Sequence, residues 1–311
     1  MGADAYDMKV LITGGLGFIG GALANRLCRE HHVTVLTRSE KGRSRLREPD
    51  RVRVKVGIVE EITAADCAGM DLVVHCASTV DNYNIQTDPY LDVRTNCAGT
   101  IALLEACKEH KPKLLFVSTF FVYGNPSKLP ADEHSPCEPL GLYPATKLCA
   151  EHFCKVYSRL HSFHLNICRL TNVYGPGEVF DNTKKGAFNY LIHRAQLGEP
   201  IDLYRGGDFF RDYLYIDDAV EALATVALRA PAGELYLVGS GEPVLFKDLM
   251  ECLHRLTGRK SAIGSIEPPQ FHQVVGIKNF SANIAKIKGL GWTPKIGYEE
   301  GITRTLASHG S

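Results

Sequence analysis

Tyr143 and Lys147 stand four residues apart in Tyr143-Pro144-Ala145-Thr146-Lys147, and on a helix that spacing puts both side chains on one face. A lysine ammonium beside a phenol favours the phenolate, drawing a pKa that is ~10 when unperturbed toward the working pH. A phenol so tuned gives or takes the proton of a hydroxyl while hydride leaves or joins the same carbon. Thr119, directly after the apolar run Leu114–Ser118, is suited to hydrogen-bond the reacting oxygen. Chance supplies many Tyr-x-x-x-Lys matches. This one draws its weight from its position after the fifth of a series of buried strands.

The hydride partner is indicated near the start of the chain. Strand Val10–Thr13 runs into Gly14-Gly15-Leu16-Gly17-Phe18-Ile19-Gly20 and then a helical segment, so Gly15, Gly17 and Gly20 fit G-x-G-x-x-G in strand–turn–helix context. Such a turn lets the backbone approach a pyrophosphate, whose charge then sits on the helix amino terminus. A NAD site usually carries an acid about 20 residues further on to hold the ribose. Here strand Val33–Leu36 ends in Thr37-Arg38-Ser39, with Lys41 and Arg43 close behind. No carboxylate repels a 2′-phosphate and Arg38 can pair with one, so NADP(H) is the preferred expectation, with NAD(H) possible. A solvated basic loop is the plain alternative for the same residues.

These residues need a frame. Apolar runs rich in Val, Ile and Leu recur at Lys9–Thr13, Val33–Thr37, Val52–Val56, Leu72–Cys76, Leu114–Ser118 and Leu165–Leu170, separated by helical stretches such as Ile19–Arg29 and Thr95–Glu109. Buried runs alternating with helices predict βαβ units, hence an α/β fold with a Rossmann doubly wound parallel sheet. After Gly175 the pattern changes to a Pro/Gly/Asn-rich loop, a helix at about Phe188–Gly198 and a strand at Pro200–Tyr204. A helix at Ala219–Ala230 and a strand at Glu234–Val238 return to the sheet; Phe246–Thr257 and a last short helix complete the tail. The expected division is a dinucleotide domain of residues 1–174 plus about 213–240, and a smaller interleaved substrate lobe of 175–212 plus about 241–311.

Composition narrows the class. Of 311 residues 45% are hydrophobic, and 35 basic side chains balance 35 acidic ones, which gives no reason to expect a nucleic-acid or membrane surface. The ten cysteines are scattered without a C-x-x-C pair, several within apolar runs, so reduced thiols and a cytoplasmic setting are expected. No apolar run approaches ~20 residues, so no membrane span is expected. No histidine group has metal-ligand spacing, and no metal is expected. Asp132-Glu133 reads as a solvated turn, and His75 and Cys76 as cleft wall.

The sequence resembles the extended short-chain dehydrogenase/reductases, specifically the nucleotide-sugar epimerase/dehydratase/reductase family. The matching segments are Thr13–Gly20 (TGGLGFIG), His75–Ser78 (HCAS), Asn96–Thr100 (NCAGT), Ser118–Gly124 (STFFVYG), Tyr143–Lys147 (YPATK), Arg169–Gly177 (RLTNVYGPG), Arg211–Asp218 (RDYLYIDD) and Leu290–Pro294 (LGWTP). The resemblance implies that Thr119, Tyr143 and Lys147 are catalytic. It implies cofactor contacts from Gly14, Gly15, Gly17, Phe18, Ile19, Gly20, Thr37, Arg38, Cys76, Ala77, Asn96, Tyr143 and Lys147, and substrate contacts from Thr79, Thr119, Phe120, Asn172 and Arg211. A structural ion pair with Asp212 or Asp217 is the alternative for Arg211, and Asn82, Tyr83 and Asn84 are placed to touch a sugar. Family members commonly form homodimers through a four-helix bundle, and Ile101, Leu103, Leu104, Leu148, Phe153 and Val156 are compatible with that or with plain core packing.

Departures from the family pattern refine the chemistry. Family 4,6-dehydratases carry an Asp-Glu pair after the active-site Thr, and the related decarboxylases a Glu near there; this chain has Phe120-Phe121, whose rings transfer no protons. Gly57-Ile58 stands where an Asp often meets the adenine ring. Hydride transfer at C4 of a nucleotide-diphosphate sugar remains, and the same three residues serve a 4-keto-sugar reductase or a 4-epimerase. The absent acid and Arg38 put the NADP(H)-dependent reductase first, the 4-epimerase with retained NAD(P) second, and a non-catalytic nucleotide-sensing protein third.

Overall fold

The computed structural model describes residues 8–80, 84–178, 187–258 and 262–309. The six apolar runs of the first half form β1 (Lys9–Thr13), β2 (His32–Thr37), β3 (Val52–Val56), β4 (Leu72–His75), β5 (Lys113–Thr119) and β6 (Leu165–Leu170). The second half adds β7 (Asn172–Tyr174), β8 (Ile201–Tyr204), β9 (Phe210–Tyr215), β10 (Leu235–Val238), β11 (Pro243–Leu245) and β12 (Ile263–Ile266). Seven of these make one sheet in the order β10-β6-β5-β4-β1-β2-β3, every neighbouring pair parallel. From β3 through β6 this is the doubly wound order, which reverses between β1 and β4.

Burial on both faces explains why these strands are continuous apolar runs. All four residues of β4 and all six of β6 are buried. Side chains alternate between two cores. Val10, Ile12, Leu115 and Val117 pack with Leu23 and Leu27 of the helix Phe18–Leu27 and with Leu223 of the helix Ile216–Arg229. Leu11, Val73, Leu114 and Phe116 pack with Leu103 and Leu104 of the helix Gly99–Cys107 and with Ala150 and Cys154 of the helix Leu142–His161.

The later chain builds two small sheets, β11-β9-β7 and β12-β8. Asp212 in β9 ties the first of them to the large one. Fully buried, it accepts from the backbone N–H groups of Ser240, Gly241 and Ala282, and from the hydroxyls of Thr171 and Ser240. The helix Tyr298–His309 closes over β7: the Tyr174 hydroxyl donates to the Tyr298 carbonyl at 3.2 Å.

Several elements differ from the sequence reading. β7, β9, β11 and β12 are absent from the sequence reading; β7 and β11 have only three residues each, too few to show alternation. The helix expected from Thr95 begins instead as a single π turn over Val93–Ala98 before the regular Gly99–Cys107 segment. Among the described residues no helix is long and apolar enough to cross a membrane, and all ten cysteines are free thiols. Removing the Asp212 carboxylate orphans three backbone donors, one buried and two half-buried. Asp212→Ala is therefore expected to cost about 3 kcal/mol or more, read from the urea midpoint of unfolding.

Candidate active site

The glycine turn sits where the strand order reverses, at the carboxyl end of β1. Gly14 has φ +68°, and a Cβ there would lie 2.8 Å from the Ala77 nitrogen; a Cβ on Gly20 would lie 2.4 Å from the Gly14 carbonyl oxygen. Both contacts require glycine. Gly17 caps the helix without a side-chain hydrogen bond, and no acid lies in its first turn. The N–H groups of Phe18, Ile19 and Gly20 thus face outward from a bare helix terminus. A pyrophosphate fits that cradle in charge and in space.

β2 ends beside this turn. The Thr37 hydroxyl donates to the Ser39 carbonyl at 3.0 Å, while Arg38 is exposed and has no ion-pair partner among the described residues. Gly57 N–H, just beyond β3, donates to the Thr37 carbonyl at 2.8 Å and joins the two strand ends.

The end of β4 is held by a determined chain of hydrogen bonds. Thr100 Oγ1 donates to the Asn96 carbonyl at 2.6 Å, so it accepts from His75 Nε2 at 3.0 Å. His75 Nδ1 then accepts from the Thr13 hydroxyl at 2.7 Å, whose oxygen accepts from Ala77 N–H at 3.2 Å. Burial, helped by the Lys147 charge, pushes His75 down to about 3. The ring is a neutral strut. Burial pushes the Cys76 thiol up to about 12, so it too is uncharged wall.

Asn96 lies on the π turn, a distortion that often marks functional positions. Its Oδ1 accepts from Ser78 Oγ at 2.9 Å and Thr79 N–H at 3.0 Å, and its Nδ2 donates to Thr79 Oγ1 at 2.8 Å and Thr146 Oγ1 at 3.0 Å. Every hydrogen-bonding position of the amide is used. The side chain expected to touch cofactor instead clamps the loop after β4 to the helix that carries Lys147, and it occupies Thr79 in doing so.

Tyr143, Lys147 and Thr119 come together at the end of β5. The Thr119 hydroxyl, 7% exposed as a residue, accepts from Phe121 N–H at 3.3 Å and lies beside the Tyr143 phenol. Burial pushes Tyr143 up to about 12, with the nearby Thr119 hydroxyl opposing the rise and Asp92 adding to it. This corrects the expectation that Lys147 lowers the phenol. Lys147 Nζ donates to the Val117 carbonyl at 2.7 Å and lies 4.1 Å from the Phe116 ring centroid, and burial brings it down to about 8.

Three of the expected substrate contacts are also engaged within the protein. Phe120 is 1% exposed, its ring 4.6 Å from that of Phe280 and 4.4 Å from that of Phe121, which leaves only its backbone for a ligand. Asn172 Nδ2 donates to the Asp212 carbonyl at 3.0 Å. Arg211 makes no ion pair with Asp212 or Asp217; its guanidinium donates to the carbonyls of Phe210, Ile277 and Lys278. Glu133 is no solvated turn residue, because Oε1 accepts from Leu237 N–H at 2.9 Å in the edge strand β10. Asn84 donates to Asp92 at 2.8 Å, while Asn82 and Tyr83 lie outside the described residues.

Sequence reasoning missed Asp92, fully buried with Oδ2 unpartnered, and the buried trio Ser118, Glu151 and Arg169. Glu151 had one visible signal: it stands four residues after Lys147, on the face that carries Tyr143.

With this geometry in view, residues 10–239 match the family described as NAD dependent epimerase/dehydratase. The chain belongs to that family. It is 29% identical over 306 residues to a putative UDP-glucose 4-epimerase of Methanocaldococcus jannaschii, covering 96% of this chain and 97% of that one. It is 30% identical over 321 residues to a dTDP-glucose 4,6-dehydratase of Mycolicibacterium smegmatis, with 96% and 92% covered. The solved UDP-glucose 4-epimerase of Thermus thermophilus, in complex with NAD, superposes with a TM-score of 0.87 at 28% identity, covering 98% of this chain and 99% of that one. The chain is thus an NAD(P)-dependent nucleotide-sugar enzyme of the extended short-chain dehydrogenase/reductase type.

The His75 strut sets a pH dependence. Unfolded, the ring takes a proton near pH 6.5; folded, it resists until about 3, so the unfolded state binds more protons between those values. Its contribution to stability is present above pH 6.5 and is lost as pH falls. Wild type minus His75→Gln is expected to show a slope of up to about 1.4 kcal/mol per pH unit in urea unfolding below that point; parallel curves would count against a neutral buried ring.

Proposed function

We propose that this protein is a 4-epimerase of UDP-sugars, oxidising and re-reducing one carbon with a retained nicotinamide cofactor. The observation that carries the reading is the buried pair Tyr143 and Thr119 at the carboxyl edge of the sheet that also holds the glycine turn, followed by Phe120 and Phe121 rather than carboxylates. One proton-handling group serves a reaction in which one hydroxyl proton and one hydride leave and return. Elimination of water needs a further acid and base that those phenyl rings do not supply, so similarity to a dehydratase is not carried over to the reaction. Sequence alone puts a single hydride delivery by NADPH first; similarity to two UDP-glucose 4-epimerases reverses that order.

In this reading Tyr143 takes the proton of the sugar hydroxyl and later gives it back, with Thr119 holding the same oxygen. The bound cofactor supplies the hydride acceptor and donor. Lys147 keeps its charge below about pH 8, and its ammonium is spent on the Val117 carbonyl, which fastens the helix carrying Tyr143 to the end of β5. The neutral His75 and Cys76 add no competing proton donors at neutral pH.

NADP(H) is the cofactor form we favour, on the exposed Arg38 and the absence of a carboxylate at the end of β2. That same observation supports the 4-keto-sugar reductase as the second reading. The exposed Val156 and Leu160 on the helix Leu142–His161 suit a homodimer built on that helix, and sedimentation equilibrium tests it.

Incubation with a panel of UDP-hexoses and UDP-hexuronates separates the readings. Epimer formation at C4 without net change in nicotinamide absorbance supports the proposal. Stoichiometric NADPH loss with a 4-keto sugar replaces it with the reductase, and no turnover of any sugar replaces it with a nucleotide-binding protein. Tyr143→Phe is expected to keep cofactor affinity and lose about 10²–10⁴-fold in kcat; a near-normal rate would remove the assigned role. Arg38→Ala is expected to weaken NADPH binding about tenfold or more, and NADH less than about twofold, by calorimetric titration. Equal losses would refute the 2′-phosphate contact.

A further inference from the structure

Three consecutive residues at the end of β5 are each met by one face of the helix Leu142–His161. Lys147 Nζ donates to the Val117 carbonyl at 2.7 Å, Ser118 Oγ donates to Glu151 Oε1 at 2.6 Å, and the Thr119 hydroxyl lies beside the Tyr143 phenol. Positions 143, 147 and 151 follow one another by about one turn, so the helix is indexed on the strand residue by residue. Glu151 is fully buried and closed from β6: Arg169 Nε donates to Oε1 at 2.9 Å and Nη2 to Oε2 at 2.6 Å. The guanidinium lies 4.7 Å from the Tyr123 ring centroid, and its Nη1 has no partner among the described residues.

A buried ion pair seldom adds stability over apolar residues of the same volume, because both charges lose their hydration. What this pair does provide is direction. A carboxylate fixed at both oxygens by a planar fork offers Ser118 one acceptor position, and Ser118 immediately precedes Thr119.

We propose that Glu151 is a positioning residue for hydride transfer: held by Arg169 and acting through Ser118, it sets the register in which Tyr143 meets Thr119 and Lys147 meets Val117. The inference rests on the reading of Tyr143 and Lys147 as the reacting pair. Glu151 also faces Lys147 from one turn along. The other groups against that ammonium are Cys154 on the same helix, Cys76 after β4, Cys97 on the π turn, His75 and the Phe116 ring. The three thiols are raised to about 12 and His75 is neutral, so Glu151 is the one full negative charge among them.

The test compares Ser118→Ala, Glu151→Gln and Tyr143→Phe in the whole protein, on a UDP-sugar that wild type turns over. Ser118→Ala removes the tie but leaves the ion pair whole. It is expected to lower kcat about tenfold while KM, cofactor Kd and Tm stay within about twofold or a few degrees of wild type. Glu151→Gln is expected to move the alkaline limb of kcat, set by Lys147 near pH 8, to lower pH by about half a unit or more. If that variant does not fold, Ser118→Ala decides alone. A Ser118→Ala enzyme with wild-type kcat, or one that loses only Tm, overturns the positioning role. Normal turnover by Tyr143→Phe sinks the functional reading itself, whereas an inactive Tyr143→Phe beside a fully active Ser118→Ala sinks only the role of Glu151.

Discussion

A parallel strand packed on both faces has only its ends left for chemistry, and that constraint organises this molecule. β1, β4 and β5 lie side by side in register, with Thr13 opposite His75 and His75 opposite Phe116, so their carboxyl ends reach one edge together. The glycine turn follows the first of them, the Ser78–Thr79 loop the second, and Thr119 ends the third. Each arrives without a hinge or linker. The fixed spacing between neighbouring parallel strands does the work that flexible loops would do badly.

Low dielectric at that edge pushes four ionisable groups toward neutrality. His75 and Lys147 are depressed, and Tyr143 and Cys76 are raised, with burial the largest cause in all four. The result is a set of groups that respond strongly to any charge introduced beside them, because little water is present to screen it. A phenol near 12 beside an ammonium near 8 is far from its solution behaviour on both sides. Its protonation is therefore coupled to what binds next to it.

Much of this was legible in the sequence because it depends on short-range signals. The buried runs, the glycine spacing and the Tyr143–Lys147 interval are all local, and each survives intact in the structure. The residues whose settings the sequence did not show are those whose partners are remote in the chain. Arg211 satisfies itself on carbonyls 66 and 67 positions away, and Glu133 caps an edge strand 104 residues later. Asn96 looks like a ligand contact until the loop at Ser78 and the helix at Thr146 are brought to its two sides. No local pattern encodes those meetings; they follow from the crossing of β-α units, which is a property of topology.

The fastening of Tyr174 to the last helix affects how the molecule is made. Gly301 lets that helix approach so closely that a Cβ there would lie 2.1 Å from the Tyr174 hydroxyl oxygen. β7, which carries Asn172, is thus sealed by a residue made 124 positions after Tyr174. Six of the seven large-sheet strands are complete by Leu170, so most of the parallel sheet can condense on the ribosome before that closure exists.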